Sequence, residues 1–451
     1  MKVLVIGSGG REHAIAWKIS QSPQEPKVYC APGNAGIAEV AQIVDIKAND
    51  IQALLYFALE AKIDLTVVGP EEPLALGIVD LFEANGLAIF GPNQKAAQLE
   101  ASKVFAKAFF LKHKIPTASC LPTGEDFYFF GDTTQVRDYF FKNNFRYDEM
   151  FPVVVKVDGL AAGKGVEVCK NPGELQDFLE VIESGKFGKA ADKILLEKCL
   201  DGEEVSYILM MDENYNVQPL ASSQDHKRAL DGDEGLNTGG MGAYSPAPVV
   251  TPEVERKIWD RIILPLKEAL KKEGIVYKGF LYLGLKIDEN GDFYVIDENG
   301  DFYVLEINVR LGDPEAQPIL LRQQSDLLAH IQAAIKGELD KEEIKYLNEP
   351  ATCVILASEG YPGSYKKGFP ITGIEDAEKY QTKVFHSGTA LDKDGHLVTN
   401  GGRVLGPTSL GVDFLNSQRN AYASVGRIKC QNLICRSDIG DKAINPELLA
   451  Q

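Results

Sequence analysis

The chain has 451 residues, which is more than one hydrophobic core usually serves and indicates about three domains. Its formal charge of −18 argues against a nucleic-acid partner, which would require a basic face, but allows a locally basic site for small anions. The sequence contains no apolar run near the roughly 20 residues that span a bilayer, and its first apolar run is too short for a signal peptide, so we expect no membrane partner.

The cysteines and histidines indicate the compartment and exclude one kind of metal site. The seven cysteines form no CxxC pair and are odd in number, which is typical of reduced thiols in a cytoplasmic protein. The six histidines are dispersed and show no HExxH motif or other metal-ligand spacing. We therefore expect a cytoplasmic protein without a histidine-based metal centre.

The first hundred residues alternate short apolar strands with helical stretches, a pattern that predicts βαβ units and a parallel sheet. The predicted strands are Val3–Ile6, Lys27–Cys30, Ile43–Ile46, Leu65–Val68 and Ala88–Phe90. The predicted helices are Glu12–Ser20, Ile51–Ala61, Leu74–Asn85 and Gln94–His113. Ligands bind at the carboxyl ends of such strands, so the loops GSGGREH, APGNAG, VGPEEPL and FGPNQ should line one site.

The turn GSGGREHA at Gly7–Ala14 resembles a dinucleotide fingerprint, but Glu12 stands where that pattern requires glycine. Two interpretations remain open. The glycines either connect strand to helix, or they present backbone N–H groups and a helix N-terminus to an anion such as a phosphate. Neither interpretation requires a nicotinamide.

The middle of the chain contains a second glycine-rich turn, DGLAAGKGV at Asp158–Val166, after an apolar strand. It is not a P-loop, because Lys164 precedes Gly165 rather than serine or threonine. Lysines at both edges nevertheless suit a loop that covers a triphosphate. Upstream, the aromatic segment Glu125–Phe151 predicts a helix with core-facing Phe and Tyr. Downstream, a long helix is predicted around Val254–Glu273.

Two further segments combine acidic residues with apolar strands. LLEKCLDGEEVS at Leu195–Ser206 is either a solvated turn or a hinge that contacts adenine and ribose. In FYVLEINVR, Glu306 and Asn308 should project from one strand face while Leu305, Ile307 and Val309 pack behind. Such hard oxygen ligands suit Mg²⁺, although a solvated edge strand is the alternative.

The nine residues IDENGDFYV occur twice in succession, at 287–304. Asn-Gly in each copy indicates a hairpin turn that leads back into the strand of Glu306. Because nine is odd, a slip by one copy would turn Glu306 to the other face, so we expect the extra copy to loop out at the hairpin tip. A tolerated duplication, a sequencing or cloning artefact and a functional flap remain open.

Deleting Ile287–Val295 is expected to leave the activity of the protein unchanged or improved. The deletion restores a single copy and places Ile296 where Ile287 stood, so the strand register is preserved. A steady-state assay of both proteins checks this, and complete loss of activity would instead assign the flap a role.

In this order, the turn Gly7–Ala14, the glycine-rich turn Asp158–Val166, the segment Leu195–Ser206 and the strand of Glu306 resemble the ATP-grasp superfamily. Within it, the chain resembles the phosphoribosylamine–glycine ligase family from residue 2 to about residue 440. The segments that carry this likeness are GSGGREHA, PGNAG, GPEEPL, KVDGLAAGKGV, DGEEVS, QDHKR, NTGGMGAYSP, EINVRLGDPEAQP and GGRVLG.

The resemblance implies roles for individual residues. The implied nucleotide contacts are Lys107, Lys156, Gly163, Gly165, Glu197 and Glu204, with Glu204 preferred to Glu203 from strand parity. The implied metal ligands are Glu306 and Asn308. The implied catalytic residues are Lys164, Asp225 and Arg310. The implied substrate contacts are Gly9, Gly10, Arg11, Asn34, Asp225, Lys227 and Arg310.

The resemblance also implies an activity: ATP-dependent joining of glycine to 5-phosphoribosylamine through glycyl phosphate, with Mg²⁺ or Mn²⁺, in a monomer or weak homodimer. Another ATP-grasp carboxylate–amine ligase or carboxylase is the main alternative. A Rossmann NAD oxidoreductase, which would rest on GSGGREH alone, and a non-catalytic nucleotide-binding protein are the others.

The predicted fold class is α/β and α+β in several domains. We expect an N-terminal parallel α/β (pre-ATP-grasp) domain at residues 1–101 and a two-lobed ATP-grasp domain. Its first lobe, at 102–196, includes the glycine-rich loop 158–165, and its second lobe, at 197–337, includes the metal site. A small β-rich domain at 338–451 closes the chain.

Overall fold

The computed structural model describes residues 1–121, 129–142, 150–160, 165–287, 303–379 and 381–445. Two predicted site residues, Gly163 and Lys164, lie outside these ranges. The tip of the duplicated hairpin, where we expected the extra nine residues to loop out, lies outside them as well.

The first hundred residues form a five-stranded parallel sheet, as predicted from the alternation of strands and helices. In sheet order the strands are Gln42–Ile43, Lys27–Pro32, Lys2–Gly7, Leu65–Val68 and Ile89–Phe90. The helices are Gly10–Ser20, Ile37–Glu39 (3₁₀), Ile51–Ala61, Glu71–Ala75, Ile78–Ala84, Gln94–Ala101 and Lys103–Lys112. Apolar residues of the central strand alternate between two buried layers, which fixes the sheet between helices.

Two predicted helices were wrong, because each is two helices. Leu74–Asn85 is interrupted at Gly77, whose φ of 87° is left-handed. Gln94–His113 is interrupted at Ser102, which is extended and caps the next helix by accepting from the Phe105 N–H. The Ser102 hydroxyl also donates to Asp158 at 2.9 Å, so this break anchors the first residue of the glycine-rich loop.

A three-stranded antiparallel sheet follows, in the order Val166–Cys169, Val153–Val157, Ile194–Lys198. The helices packed on it are Thr133–Lys142, Pro172–Glu183 and the 3₁₀ turn Gly188–Asp192. Val136 and Phe140 are buried against the sheet. The helix predicted within the aromatic segment is therefore confirmed for the part of that segment that the structure describes.

The next sheet has four antiparallel strands, in the order Val217–Pro219, Glu203–Met211, Gly279–Ile287, Tyr303–Asn308. Its core also contains side chains of the predicted long helix, which runs as Pro252–Ile258, a π-helical turn at Trp259–Ile263, and Leu264–Lys272. The strands Gly279–Ile287 and Tyr303–Asn308 are the two arms of the predicted hairpin.

A β-bulge interrupts the strand of Glu306. Gly284 pairs with Glu306, but the next residue, Leu285, pairs with Val304, so Leu305 has no partner of its own. The prediction that Leu305 packs behind the strand with Ile307 was therefore wrong. Val304 occupies the main core instead, and Leu305 packs in a separate cluster.

A seven-stranded sheet completes the fold and confirms the β-rich C-terminal region. Its path is Gln224–Asp225, Gly242–Ser245, Ala351–Val354, Arg403–Leu410, Leu356–Ser358 and Leu433–Ile434, and Thr382–His386 also pairs with Arg403–Leu410. Two of these strands come from the 224–245 segment, so this sheet is continuous with the preceding lobe. Separate hairpins are Arg228–Leu230 with Glu234–Asn237, and Thr389–Leu391 with Leu397–Thr399.

The remaining helices are Ala316–Arg322, Leu327–Ile335, Ile374–Ala377, Phe414–Val425 and Asp441–Ile444, with 3₁₀ turns at Asp231–Asp233 and Leu339–Lys341. Among the helices in the described ranges, none combines the length and apolarity needed to cross a membrane. All seven cysteines fall in described ranges, and each is a free thiol.

Candidate active site

Two lysines from different elements share one buried carboxylate. Lys107, on helix Lys103–Lys112, lies 2.7 Å from one oxygen of Glu197, and Lys156, on strand Val153–Val157, lies 2.6 Å from the other. Glu197 is only 2% exposed. Burial alone would raise the pKa of Glu197, but the two ammonium groups outweigh it and the pKa is lowered. The three residues therefore form an ionised cluster with a net positive charge.

This lysine cluster is tied to the strand of Glu306. Lys156 donates to the carbonyl of Leu305 at 3.0 Å, which is the residue that the bulge leaves unpaired. Lys107 donates to the Thr117 hydroxyl at 2.7 Å, and that hydroxyl donates to the Val304 carbonyl at 2.9 Å. Of the three predicted nucleotide contacts, Lys156 thus binds the predicted metal strand directly, Lys107 does so through Thr117, and Glu197 is linked to it through the two lysines.

A second cluster lies on the neighbouring strands. The Lys227 ammonium is 3.0 Å from Glu204 and 3.0 Å from Glu306, and Lys286 is 3.7 Å from Glu204. Lys227 lowers the pKa of both carboxyl groups, that of Glu204 to about 2. The side chains of Glu204 and Glu306 are about two-fifths exposed, so both ionised carboxylates remain accessible to a ligand.

The adjacent residue Glu203 faces elsewhere, as expected from strand parity. Its carboxylate is 3.0 Å from Lys442 near the C-terminus. Of the two acidic residues in DGEEVS, Glu204 is therefore the one that lies with Lys227 and Glu306.

Glu306 and Asn308 lie two positions apart on the same strand, and both are partly exposed. Glu306 pairs with Gly284 and Asn308 with Tyr282. A Cβ atom on Gly284 would stand 2.7 Å from the Glu306 side chain, so only glycine leaves room for that carboxylate in its present position. Carboxylate and amide oxygens are the donor types that Mg²⁺ prefers.

A cleft beside this cluster is lined by Glu204, Val205, Ser206, Asp225, Lys227, Tyr282 and Gly284. One buried oxygen of Asp225 has no hydrogen-bond partner among the described residues. Burial, and then the neighbouring charge of Glu315, raise the pKa of Asp225 well above its usual range. An incoming ammonium group would satisfy this carboxylate.

A group of hydrogen-bonded polar residues, which the sequence analysis did not identify, borders the same cleft. The Ser206 hydroxyl donates to Glu315 at 2.8 Å and lies 3.0 Å from the Tyr282 hydroxyl. Ser206 and Glu315 were present in quoted motifs, DGEEVS and GDPEAQ, but Tyr282 carried no sequence signal.

Arg310 follows strand Tyr303–Asn308 and is held by two carboxylates from the N-terminal region. Its guanidinium donates to Glu71 at 3.1 Å and lies 2.9 Å from Glu100. Burial raises the pKa of Glu100 to about 7 despite the arginine beside it, and Glu100 also accepts from the Val309 N–H at 2.7 Å. Glu71 lies in the predicted ligand loop VGPEEPL, whereas Glu100 had no motif.

The residues of the first glycine turn contact the same region. Arg11 donates to the Leu311 carbonyl at 3.0 Å, and its N–H faces Asp313 at 3.4 Å. The Gly9 N–H donates to Glu12 at 2.6 Å. A Cβ atom on Gly10 would collide with Gln317 and Ser387, so this glycine is required for close packing. The Glu12 carboxylate occupies the turn, which explains why the dinucleotide pattern is incomplete.

Asn34 connects its loop to the first glycine turn and to the C-terminal region by hydrogen bonds. Its amide nitrogen donates to the carbonyls of Ser8 and His386, both at 2.8 Å, and its oxygen accepts from the N–H groups of Gly36 and Ile37. All of these are bonds within the protein. The contact of Asn34 with a sugar phosphate stays a prediction.

Arg403, from the motif GGRVLG, brings the C-terminal sheet into the site. It donates to the carbonyls of Gly239, Gly240 and Asp313, and its guanidinium lies 3.5 Å from the Asp313 carboxylate. Burial opposes ionisation of Asp313, but Arg403 and then Arg11 lower its pKa overall. The motif was visible in the sequence, but its arginine was not assigned a position in the site.

Of the glycine-rich loop, the structure describes both ends. Gly165 accepts from the Val157 N–H at 2.9 Å, and Asp158 accepts from the Val104 N–H at 2.8 Å. The predicted roles of Gly163 and Lys164 fall outside the described residues and stay predictions.

Known proteins resemble the chain over its whole length. The families described as phosphoribosylglycinamide synthetase N domain, ATP-grasp (A) domain and C domain match residues 1–100, 101–316 and 351–442. The phosphoribosylamine–glycine ligase of Vibrio cholerae is 48% identical over 450 residues, covering 99% of each chain.

Solved structures extend the comparison. The phosphoribosylamine–glycine ligase of Thermotoga maritima is 31% identical, with a TM-score of 0.78 over 97% of this chain and 100% of that one. The biotin carboxylase domain of Hydrogenobacter thermophilus 2-oxoglutarate carboxylase has a TM-score of 0.70 at 15% identity, covering 99% and 98%. The second likeness concerns the fold alone.

Proposed function

The chain belongs to the phosphoribosylglycinamide synthetase family, and from this premise we propose that it is an ATP-dependent ligase of de novo purine biosynthesis. It joins glycine to 5-phosphoribosylamine and releases glycinamide ribonucleotide, ADP and phosphate. One observation carries the proposal beyond the likeness. The strand Tyr303–Asn308 brings Glu306 to Glu204 and Lys227, and its Leu305 carbonyl to Lys156.

The chemistry requires activation of a carboxylate. Glycine is a poor acyl donor, since direct attack by an amine would have to expel oxide. Transfer of the γ-phosphoryl group from ATP to a carboxylate oxygen gives glycyl phosphate and ADP. The amino group of phosphoribosylamine then forms the C–N bond while the C–O bond to phosphate breaks, and the nitrogen loses a proton. Positioning and charge neutralisation supply most of such a rate enhancement.

The lysines supply the positive charge. Lys107 and Lys156 share one carboxylate, so the cluster they form with Glu197 has an excess of one positive charge to offer to nucleotide phosphates. Their bonds to Thr117 and to the Leu305 carbonyl fix both ammonium groups before ATP arrives. Glu204 is assigned to the ribose, because its partly exposed carboxylate lies beside Lys227 and Lys286 on the strand next to that of Glu306.

Glu306 and Asn308 are assigned to Mg²⁺ or Mn²⁺. The fit is supported by the oxygen donor set, by the lowered pKa of Glu306 and by the cation already beside it, the Lys227 ammonium at 3.0 Å. When bound, the metal ion supplies additional positive charge against the nucleotide phosphates.

The substrates are assigned to the cleft and the N-terminal loops. The unpaired oxygen of Asp225 suits the ammonium of glycine. Lys227 and Arg310 are assigned to the negative charges of glycine and of glycyl phosphate. The turn of Gly9, Gly10 and Arg11, with Asn34 behind it, is assigned to the sugar phosphate. Catalytic roles of Asp225, Arg310 and Lys164, and closure of the Asp158–Gly165 loop to exclude water, complete the proposal.

ADP release is expected to require both glycine and phosphoribosylamine, and a coupled assay that omits each in turn measures this. Hydroxylamine should replace phosphoribosylamine as the attacking amine, so that glycine, ATP and hydroxylamine together give ADP, phosphate and glycine hydroxamate. Bicarbonate-dependent ADP release without glycine would favour an ATP-grasp carboxylase, and absorbance changes of a nicotinamide would favour an oxidoreductase. Either result would overturn the proposal.

Three further proposals concern the location, the domain boundaries and the assembly of the protein. A cytoplasmic location is supported by the seven free thiols. The division into 1–101, 102–196, 197–337 and 338–451 is supported in outline by the separate sheets, but the 196/197 boundary falls inside strand Ile194–Lys198 of the first lobe, and the last sheet draws two strands from the third region. A monomer or weak homodimer that acts on small molecules remains our expectation.

A further inference from the structure

A network of charged residues joins the C-terminal segment to the hairpin Arg228–Asn237, which follows Lys227. Arg436 stands at its centre and is 2% exposed. Its guanidinium makes two 2.7 Å bonds to Asp438 and one 2.8 Å bond to Asp233, at the tip of the hairpin. A planar guanidinium held by two carboxylates has a fixed orientation.

Arg436 also binds the backbone beside Lys227. It donates to the Arg228 carbonyl at 3.0 Å. The Lys227 carbonyl accepts from the N–H and the hydroxyl of Thr238, at 2.8 and 2.9 Å. Both carbonyls that follow the Lys227 Cα are therefore held, and the Lys227 side chain is directed at Glu204 and Glu306.

Residues near Arg436 in the C-terminal segment also bind the hairpin tip and the residue next to Glu204. The Gly232 N–H donates to Asp438 at 2.9 Å, and the Ser437 N–H donates to Asp231 at 2.8 Å. Lys442 lies 3.0 Å from Asp233 and 3.0 Å from Glu203, the residue next to Glu204. The C-terminal segment thus contacts both the hairpin that begins next to Lys227 and the strand that carries Glu204.

The other edge of the hairpin contacts the strand that follows the glycine-rich loop. The Asn237 amide donates to the Val166 carbonyl at 2.9 Å, and Arg228 lies 3.5 Å from Glu167. The hairpin is therefore placed between the C-terminal segment and the first ATP-grasp lobe.

We propose that Arg436 is a positioning residue of the nucleotide site, which acts by holding the hairpin so that the Lys227 ammonium meets Glu204 and Glu306. The inference rests on the proposed function, because it takes Glu204 as the ribose contact and Glu306 as a metal ligand beside the nucleotide phosphates, with Lys227 lying between the two carboxylates. It assigns the C-terminal segment a role in ATP binding as well as in folding.

The test compares Arg436→Met with the unmodified full-length protein. We expect the KM for ATP to rise about 10- to 100-fold, since small misplacements of charged groups have effects of this size. The KM for phosphoribosylamine should change less than threefold at saturating ATP. Arg436→Lys keeps a charge for Asp233 and Asp438 without the planar fork, so it should recover part of the loss, and it serves as the test if the methionine variant does not fold.

Arg322→Met is the matched control. Arg322 is also buried, at 5% exposed, and donates to the carbonyls of Leu347 and Glu349 and to the Ser245 hydroxyl, none of which belongs to the hairpin Arg228–Asn237. It should lower the unfolding temperature without raising the KM for ATP. An unchanged KM for ATP in the Arg436 variants, or equal changes for all substrates, would overturn the inference.

Calorimetric titration with ATP alone separates this inference from the proposed function. If the unmodified protein binds ATP but does not join glycine to phosphoribosylamine, the function fails. The inference is then tested separately. It is supported if Arg436→Met weakens ATP binding by about 10-fold or more while Arg322→Met does not, and it is overturned otherwise.

Discussion

Replacing Glu306 with alanine is expected to abolish ATP-dependent amide formation, lowering kcat by about 10²–10³-fold or more, the range seen when one preorganised electrostatic group is removed from an active site. Glu306 is the carboxylate that meets Lys227 at 3.0 Å, and its neighbour Asn308 shares its strand face. Without it, the proposed metal site loses its one charged ligand. Lys227 is left with Glu204 alone at that end of the cleft.

The fold should survive this change. The Glu306 side chain is 39% exposed, so its removal leaves no buried cavity and no unpaired charge in the core. Glu213→Ala, in an exposed turn, is the control and should retain full turnover. ADP release at several Mg²⁺ concentrations, together with circular dichroism, measures both effects. Full turnover with Mg²⁺ in Glu306→Ala would remove the metal-ligand assignment.

Local patterns in the sequence predicted the elements of the fold but not their interruptions. The parallel sheet was predicted from short apolar runs that alternate with helical stretches, because each of these patterns lies within a single segment of the sequence. The break at Ser102 depends on Asp158, which is 56 positions away and accepts from its hydroxyl. The bulge at Leu305 likewise accompanies a bond from Lys156, a residue of the other lobe.

The same distinction holds for the site. Glu204, Lys227 and Glu306 carried motif signals, and the structure brings them together. Their supporting groups come from distant segments and have no local signature. Glu100 reaches Arg310 across 210 positions, and Arg436 reaches Arg228 across 208. Such pairings arise from tertiary packing, which a single sequence does not display.

Replacing Glu197 with glutamine is expected to destabilise the protein and to disable it. Glu197 lies between Lys107 and Lys156, and all three side chains are at most 10% exposed. The substitution keeps the shape of the residue but leaves two buried ammonium groups without a counter-charge. Breaking a buried ion pair in this way typically costs about 3–5 kcal/mol. The lysines should also repel each other, so we expect a KM for ATP raised at least about 10-fold.

Denaturant unfolding at several pH values tests the electrostatic origin of this loss. The pKa of Glu197 is lowered in the folded protein, so its ionisation stabilises the fold fully above the unfolded pKa of about 4.3, and this contribution is lost as the pH falls toward the folded pKa. The difference in the free energy of unfolding between Glu197→Gln and the unmodified protein should therefore be largest at pH 7 and should decrease below about pH 4.3. Glu268→Gln, which removes only an exposed pair with Lys271, should unfold like the unmodified protein. A gap that is small at pH 7, or that widens in acid, would show that the lysines do not depend on this carboxylate.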